Sequence, residues 1–212
     1  RIFKQFSNEG AIYFSDNIEL TDALKVHAGL RYSSFQHSGN INPVQFLKNE
    51  IRLDTNNNYR HIEPRIALRY RLDPSSSIKA SYSENYQYVH LASTASVSLP
   101  TDLWVPSSAI VKPKYSTQYA TGYFKNFKNN IYETSLELYY KEMENLIEYK
   151  EGVLPEDNTN SSSDDAFAFG DGDSYGVEFL LKKNKGKTTG WIGYTLSKTT
   201  KYFEEVNAGV AF

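Results

Sequence analysis

Alternating apolar and polar residues divide the chain into eight strand-length segments. Side chains on a strand point to opposite faces in turn, so a period of two marks one apolar and one polar face. The clearest case is 24–37, where Leu24, Val26, Ala28, Leu30 and Tyr32 stand opposite Lys25, His27, Gly29, Arg31 and Ser33. A first segment at about 9–20 places Ile12, Phe14, Ile18 and Leu20 on one parity, interrupted by Asp16. A third, 61–72, alternates Ile62, Pro64, Ile66, Leu68, Tyr70 and Leu72 with His61, Glu63, Arg65, Ala67, Arg69 and Arg71. Pro64 is awkward within a central strand and tolerable near a strand end or a bulge. A fourth segment runs from 78 to about 90. The fifth and sixth, 115–127 and 131–149, are joined only by Lys128, Asn129 and Asn130 and predict one long hairpin. In its second strand Tyr132, Thr134, Leu136, Leu138 and Tyr140 oppose Glu133, Ser135, Glu137, Tyr139 and Lys141. The seventh and eighth cover 173–183 and about 188–200.

Segment length separates two fold classes. Strands of soluble sheets usually run about 5–6 residues, whereas a tilted membrane-spanning strand needs roughly 9–11. The connections add a second signal. Turns at 21–23, 73–77, 128–130 and 184–187 are short, and the connections at 38–60, 91–113 and 150–172 are long. Short turns on one side and long loops on the other are the arrangement of an outer-membrane β-barrel, the short turns being periplasmic. A soluble sandwich has no reason to sort its loops by length. The reading is an all-β, antiparallel transmembrane barrel, with both ends of this stretch at the extracellular side. The closing VNAGVAF places Val206, Ala208, Val210 and Phe212 on one parity, as a barrel's last strand would; its shortness and the preceding Glu204 and Glu205 favour an extracellular loop.

Composition narrows the function classes. A net charge of −2 and an isoelectric point near 6.1 offer no basic face for nucleic acid. The absence of cysteine excludes a disulfide framework, a thiolate metal site and a cysteine nucleophile. A mean hydropathy of −0.56 does not argue against a membrane, because barrel strands face lipid only at alternate positions. Seventeen tyrosines and twelve phenylalanines suit strands with aromatic girdles. The chain starts at Arg1 with its only methionine at Met143, so a processed product or a fragment is expected.

The order of these segments and several local patterns resemble a known family. GLRY at 29–32, EPRIALRY at 63–70, PTDLWVPSSAIVKPKYSTQYATGYFKNF at 100–127, YYKEMENLIEYKEG at 139–152, SYGVEFLLKK at 174–183 and TGWIGYTLSK at 189–198 are similar to the barrel of TonB-dependent outer-membrane receptors, particularly of the Bacteroidetes type. The resemblance implies an active nutrient transporter, in which about 22 strands enclose an N-terminal plug. Residues 1–212 then form a section of one barrel domain with no plug. The implied partners are outer-membrane lipids and, through the missing plug, a TonB-type energy-coupling complex. It leaves room for a surface lipoprotein capping the barrel, and for an iron complex, an oligosaccharide or a peptide as ligand. Two other classes stay open: a self-contained eight-stranded barrel with a structural or adhesive role, and a soluble β-sandwich that binds or cleaves carbohydrate.

Candidate chemistry is sparse, and no enzyme, cofactor or metal site is expected. His27, His37, His61 and His90 share no ligand spacing, and zinc needs three or four convergent ligands. GDGD at 170–173 lacks the Lys and helix of a phosphate loop. Glu151, Glu156, Asp157, Asp164, Asp165, Asp171 and Asp173 read as solvated loop acids or as a calcium site, although their spacing misses the EF-hand pattern. Glu133 and Glu137 are a chance carboxylate pair before they are a glycosidase dyad. Glu63, Arg65, Arg69, Glu133, Glu137, Glu178 and Lys182 lie on polar parities, as a lumen wall of compensating charges, a plug contact or direct ligand contacts. Trp104 either packs its loop down or stacks on a flat ligand.

Overall fold

The computed structural model describes residues 6–38, 57–92, 103–152 and 166–211. Eight long strands form one sheet in which they follow one another in chain order, every neighbouring pair antiparallel. They are β1 (Phe6–Glu19), β2 (Leu24–Ser38), β3 (Asn57–Asp73), β4 (Ser76–Gln87), β7 (Lys114–Phe127), β8 (Tyr132–Tyr149), β9 (Phe167–Lys183) and β10 (Gly190–Phe203). Between β4 and β7 stands a separate two-stranded ladder, β5 (Val89–Ala92) with β6 (Leu103–Pro106). The central hairpin turns on Lys128, Asn129 and Asn130, all at positive φ of 48°, 54° and 62°. Asparagine tolerates that left-handed region better than most residues.

Among the described residues no ladder joins β1 to β10, so the sheet does not close on itself as an eight-stranded barrel. Nor does the long sheet divide into the two packed layers of a sandwich. No helix among the described residues is long and apolar enough to cross a membrane.

Register sorts the side chains into two faces. On one lie Leu30, Ile66, Leu68, Leu136, Leu138, Val177, Phe179, Ile192 and Leu196, all exposed. Tyr82, Tyr119, Tyr140 and Tyr175 are successive cross-strand partners, so they form one aromatic row over β4, β7, β8 and β9. Phe127 and Tyr132, themselves partners, mark the other edge of the band. Tyr132 to Tyr140 spans about 27 Å along the strand, which a tilt of about 40° reduces to about 20 Å, close to the height of a barrel's apolar band. This is a lipid-facing surface. The opposite face carries Lys25, Arg65, Arg69, Lys79, Glu137 and Glu178 and bounds a concavity of about 690 Å³ whose lining reaches from β1 to β8.

Three boundaries differ from the sequence reading. β3 starts at Asn57 and β9 at Phe167, several residues into stretches read as polar connections. Asn57 pairs with His37 and Phe167 with Tyr149, because ladder bonds are made by backbone and do not need apolar side chains. GDGD therefore lies on β9. A Cβ at Gly170 would stand 2.0 Å from the carbonyl oxygen of Tyr202, so the neighbouring strand passes too close for any side chain there. The segment from 78 breaks at Tyr88, and the following hairpin was hidden by its brevity and by Pro106. Near the end, Asn207–Gly209 forms a 3-10 turn rather than a strand, as the loop reading expected.

Pro64 explains a fourth irregularity. It lies opposite Leu30 within the β2–β3 ladder, which continues to Asn57. The β3–β4 ladder, however, ends at Arg65 and Ser83. Proline has no N–H to donate, so the missing donor falls on the β4 side and the two strands separate beyond it.

The β5–β6 hairpin buries His90, Ala92 and Val105. Val105 and Ala92 join Val111, Ile147, Tyr149, Ala166 and Phe167 in an apolar cluster at the long-connection end. Burial holds the His90 imidazole down at about 4, with the nearby Lys114 cation acting in the same direction. Its Nε2 contacts the Ser107 hydroxyl at 3.1 Å, and its Nδ1 has no partner.

Two outcomes test this architecture. Leu138→Arg, on the lipid face, should lower barrel stability in urea unfolding from lipid vesicles by about 2–4 kcal/mol, whereas Glu137→Gln one residue away should change it little. The second concerns pH. The unfolded His90 takes up its proton near pH 6.5 and the folded one near 4, so hairpin stability should fall as pH drops through that window. Amide exchange of residues 89–92 should rise accordingly, and His90→Asn should flatten the dependence.

Candidate functional site

The polar face is the candidate site, and register decides which of its charges are neighbours. Lys25 pairs with Arg69, Arg69 with Lys79, Lys79 with Gly122, Gly122 with Glu137 and Glu137 with Glu178. One row across five strand junctions is therefore cationic over β2–β4 and anionic over β8–β9. Gly122 separates the halves, and the Glu137 side chain folds across it: a Cβ there would meet Glu137 Cγ at 2.8 Å. Like charges directly opposite on adjacent strands repel. Among the described residues, no ion pair reaches Arg69, Lys79, Glu137 or Glu178. Lys79 instead lies 4.0 Å over the Phe124 ring, and Glu137 accepts a hydrogen bond from Ser135 at 3.1 Å. Lys25 is paired with Glu19, its partner on β1, but the rest of the row is electrostatically incomplete, and Arg69, Lys79 and Glu137 line the concavity.

The other residues singled out from the sequence divide into three groups. Arg65 is exposed on the same face and donates to Asn85 at 2.9 Å. Glu133 lies 3.9 Å from Lys182, its cross-strand partner, in a half-exposed pair of small energetic weight. Glu63 is different. It is only 3% exposed, accepts a hydrogen bond from Ser33 at 2.7 Å and lies 3.5 Å from Arg31. Arg31 in turn lies 3.8 Å from Glu9. Glu63 therefore belongs to a network within the wall.

That network continues through His61, weighed in the sequence only as a metal ligand, and through Tyr88 and Ser33, which the sequence did not single out. Tyr88 stands 2.7 Å from the Ser33 hydroxyl and 2.9 Å from His61 Nδ1, and its ring stacks on Phe35 with centroids 5.1 Å apart. Counting protons fixes the polarity. Ser33 donates to the Glu63 carboxylate, so Tyr88 donates to Ser33, and His61 Nδ1–H donates to Tyr88. His61, Tyr88 and Ser33 were visible only as scattered polar residues, since 55 positions separate Ser33 from Tyr88.

Trp104 is apart from this wall, on β6 at the long-connection end. It is 64% exposed and pairs with Leu91, which is also exposed, so the two form an apolar platform on the hairpin's open face. Of the loop acids, Asp171 and Asp173 lie on β9, and Glu151 accepts a hydrogen bond from the Asn207 amide; Glu156, Asp157, Asp164 and Asp165 lie outside the described residues. Among the described residues no cluster of His or carboxylates has the form of a metal site.

No curated protein sequence matches the chain. The fold, however, is similar to that of the iron transporter FrpB of Neisseria meningitidis, with a TM-score of 0.64 and 12% identity over 98% of this chain and 28% of that one. The ferripyoverdine receptor of Pseudomonas aeruginosa gives a TM-score of 0.63 and 16% identity over 98% of this chain and 24% of that one. The alcaligin receptor FauA of Bordetella pertussis gives 0.57 and 17%, over 98% of this chain and 32% of that one. The chain thus spans a quarter to a third of the length of these proteins, and at such identities the likeness establishes the fold alone. Membership rests on a family model, the TonB-dependent receptor-like β-barrel, which matches residues 3–210. The chain belongs to that family, and its place is the Gram-negative outer membrane.

Proposed function

We propose that this chain is a section of the barrel of a TonB-dependent active transporter, which captures a nutrient at the cell surface and admits it by energy coupled through a plug. Capture and passage need no covalent chemistry, and among the described residues the inner face offers charge and shape. The observation that carries the reading is the family match over nearly the whole chain. The inner wall supports it. Arg69, Lys79 and Glu137 line the concavity, and among the described residues no ion pair reaches them; Glu178 stands beside Glu137 on the same face. A plug set against this row would carry acids over β2–β4 and bases over β8–β9. Arg65 lies on the same face, and Trp104 stands at the mouth as a ligand contact. The lipid-facing tyrosine row would anchor the section among outer-membrane lipids. An iron chelate is the favoured cargo, since the similar structures include receptors and transporters named for iron and for siderophores.

Deleting the whole receptor should abolish protonophore-sensitive accumulation of radioactive iron supplied as a ferric siderophore. Loss of growth on peptides or oligosaccharides instead would reassign the cargo; normal uptake of all three would end the transport reading. A charge test addresses the wall itself. Arg69→Glu places an acid between Lys25 and Lys79 and removes like-charge contacts worth roughly 0.2–1 kcal/mol each. Thermal stability of the barrel should hold or rise. Leakage of a large antibiotic through the lumen should increase, because the plug's acids would then meet a glutamate.

A further inference from the structure

We propose that the short turns 128–130 and 184–189 form a cationic rim that holds an anionic phospholipid of the periplasmic leaflet by its phosphate. Lys128 and Lys183, both gathered on the Tyr132 ring, are its contacts. The inference rests on the placement of this section in the outer membrane, with short turns at the periplasmic side, and goes beyond the transport reading.

Register brings the two turns together. Tyr132 stands opposite Phe127 on one side and Lys183 on the other. The Asn184 amide donates to the Ile131 carbonyl at 2.8 Å, so the turns lie side by side at the edge of the lipid-facing band. The Lys128 amine lies 5.7 Å and the Lys183 amine 6.0 Å from the centre of the Tyr132 ring. At such distances a ring face draws a cation weakly and leaves its N–H donors for another partner. The β9–β10 turn closes over the second amine: a Cβ at Gly186 would stand 3.6 Å from Lys183 Nζ. Gly186 has a φ of 117°, which glycine adopts without strain. Lys185 and Lys187, exposed on the same turn, add two more charges.

What sets this rim apart is that its cations are not neutralised. At the other short turns Lys25 is paired with Glu19, and Lys125 with Asp73 at 3.1 Å. Lys182, next to the rim but on the inner parity, lies 3.9 Å from Glu133. Among the described residues no ion pair reaches Lys128, Lys183, Lys185 or Lys187. The far end of the same lipid face has the opposite sign. There Glu84, Thr117, Glu142 and Asp173 are successive cross-strand partners in the row beyond the tyrosines. The apolar band beside Phe127 and Tyr132 takes acyl chains while the lysines take the phosphate. A lipid makes both contacts, and a soluble anion only one.

Native mass spectrometry of the whole receptor tests this surface, with release from micelles that hold phosphatidylglycerol and phosphatidylcholine in equal amounts and with the same acyl chains. The unaltered receptor should retain phosphatidylglycerol in preference. Lys128→Gln and Lys183→Gln should each lower that preference about fivefold. Lys185→Gln, outside the strands, should lower it in the same direction and serves if a strand variant does not insert. Lys198→Gln removes the same charge beside Tyr175, at the far end of the lipid face, and should leave the preference unchanged. Glycerophosphoglycerol, the headgroup without its chains, should not displace the bound lipid. Equal retention of the two lipids, or an equal loss in Lys198→Gln, overturns the site. Displacement by the chainless headgroup overturns the lipid as its occupant in favour of a soluble anion. The readout is bound lipid rather than uptake, so its failure is distinct from failure of the transport reading.

Discussion

Everything in this molecule depends on one requirement: in a bilayer, where water is absent, each backbone N–H and C=O must find a partner inside the protein. Strands meet it only by pairing edge to edge, and the pleat then sends side chains alternately to lipid and to the interior. The long strands, the tyrosine row over β4, β7, β8 and β9, and the charged inner wall are three expressions of that single rule. It also explains why a chain of low mean hydropathy belongs in a membrane. Half of its strand positions never meet lipid.

Where the requirement relaxes, the structure departs from regularity. Above the apolar band water can satisfy backbone groups, so Pro64 is tolerated there as a ladder-breaking residue in a strand with neighbours on both sides. The space it opens is filled by His61, Tyr86 and Tyr88, which pack through ring faces and hydroxyls. The same end of the sheet holds the buried His90, the Glu63 network and the apolar cluster around Val111 and Phe167. Irregular chemistry has gathered at the long-connection end, where the membrane no longer dictates the backbone.

The inner wall follows a different logic. Lys25 pairs with Glu19 and Glu133 with Lys182, but Arg69 meets Lys25 and Lys79, and Glu137 meets Glu178. A sheet that completed its own electrostatics would alternate signs across the strands. Segregated signs suit a wall whose counter-charges arrive on another body, which is the part a plug would play.

The eight long strands, their apolar faces, the sorting of short turns and long connections, and the polar parity of Glu63, Arg65, Arg69, Glu133, Glu137 and Glu178 were all legible in the sequence. They follow from a period of two, which is a local property of the chain. The strand extensions at Asn57 and Phe167 were not, because a ladder bond depends on a neighbouring backbone and leaves no mark on the side chains. The β5–β6 hairpin was too short to show a period. Parity placed Arg69 and Glu63 on one face, but only register shows that Arg69 stands between two lysines and Glu63 is enclosed by Ser33 and Arg31. Sequence determined which way each side chain points; the tertiary structure decided what it meets, since cross-strand neighbours are set by pairing between segments far apart in the chain.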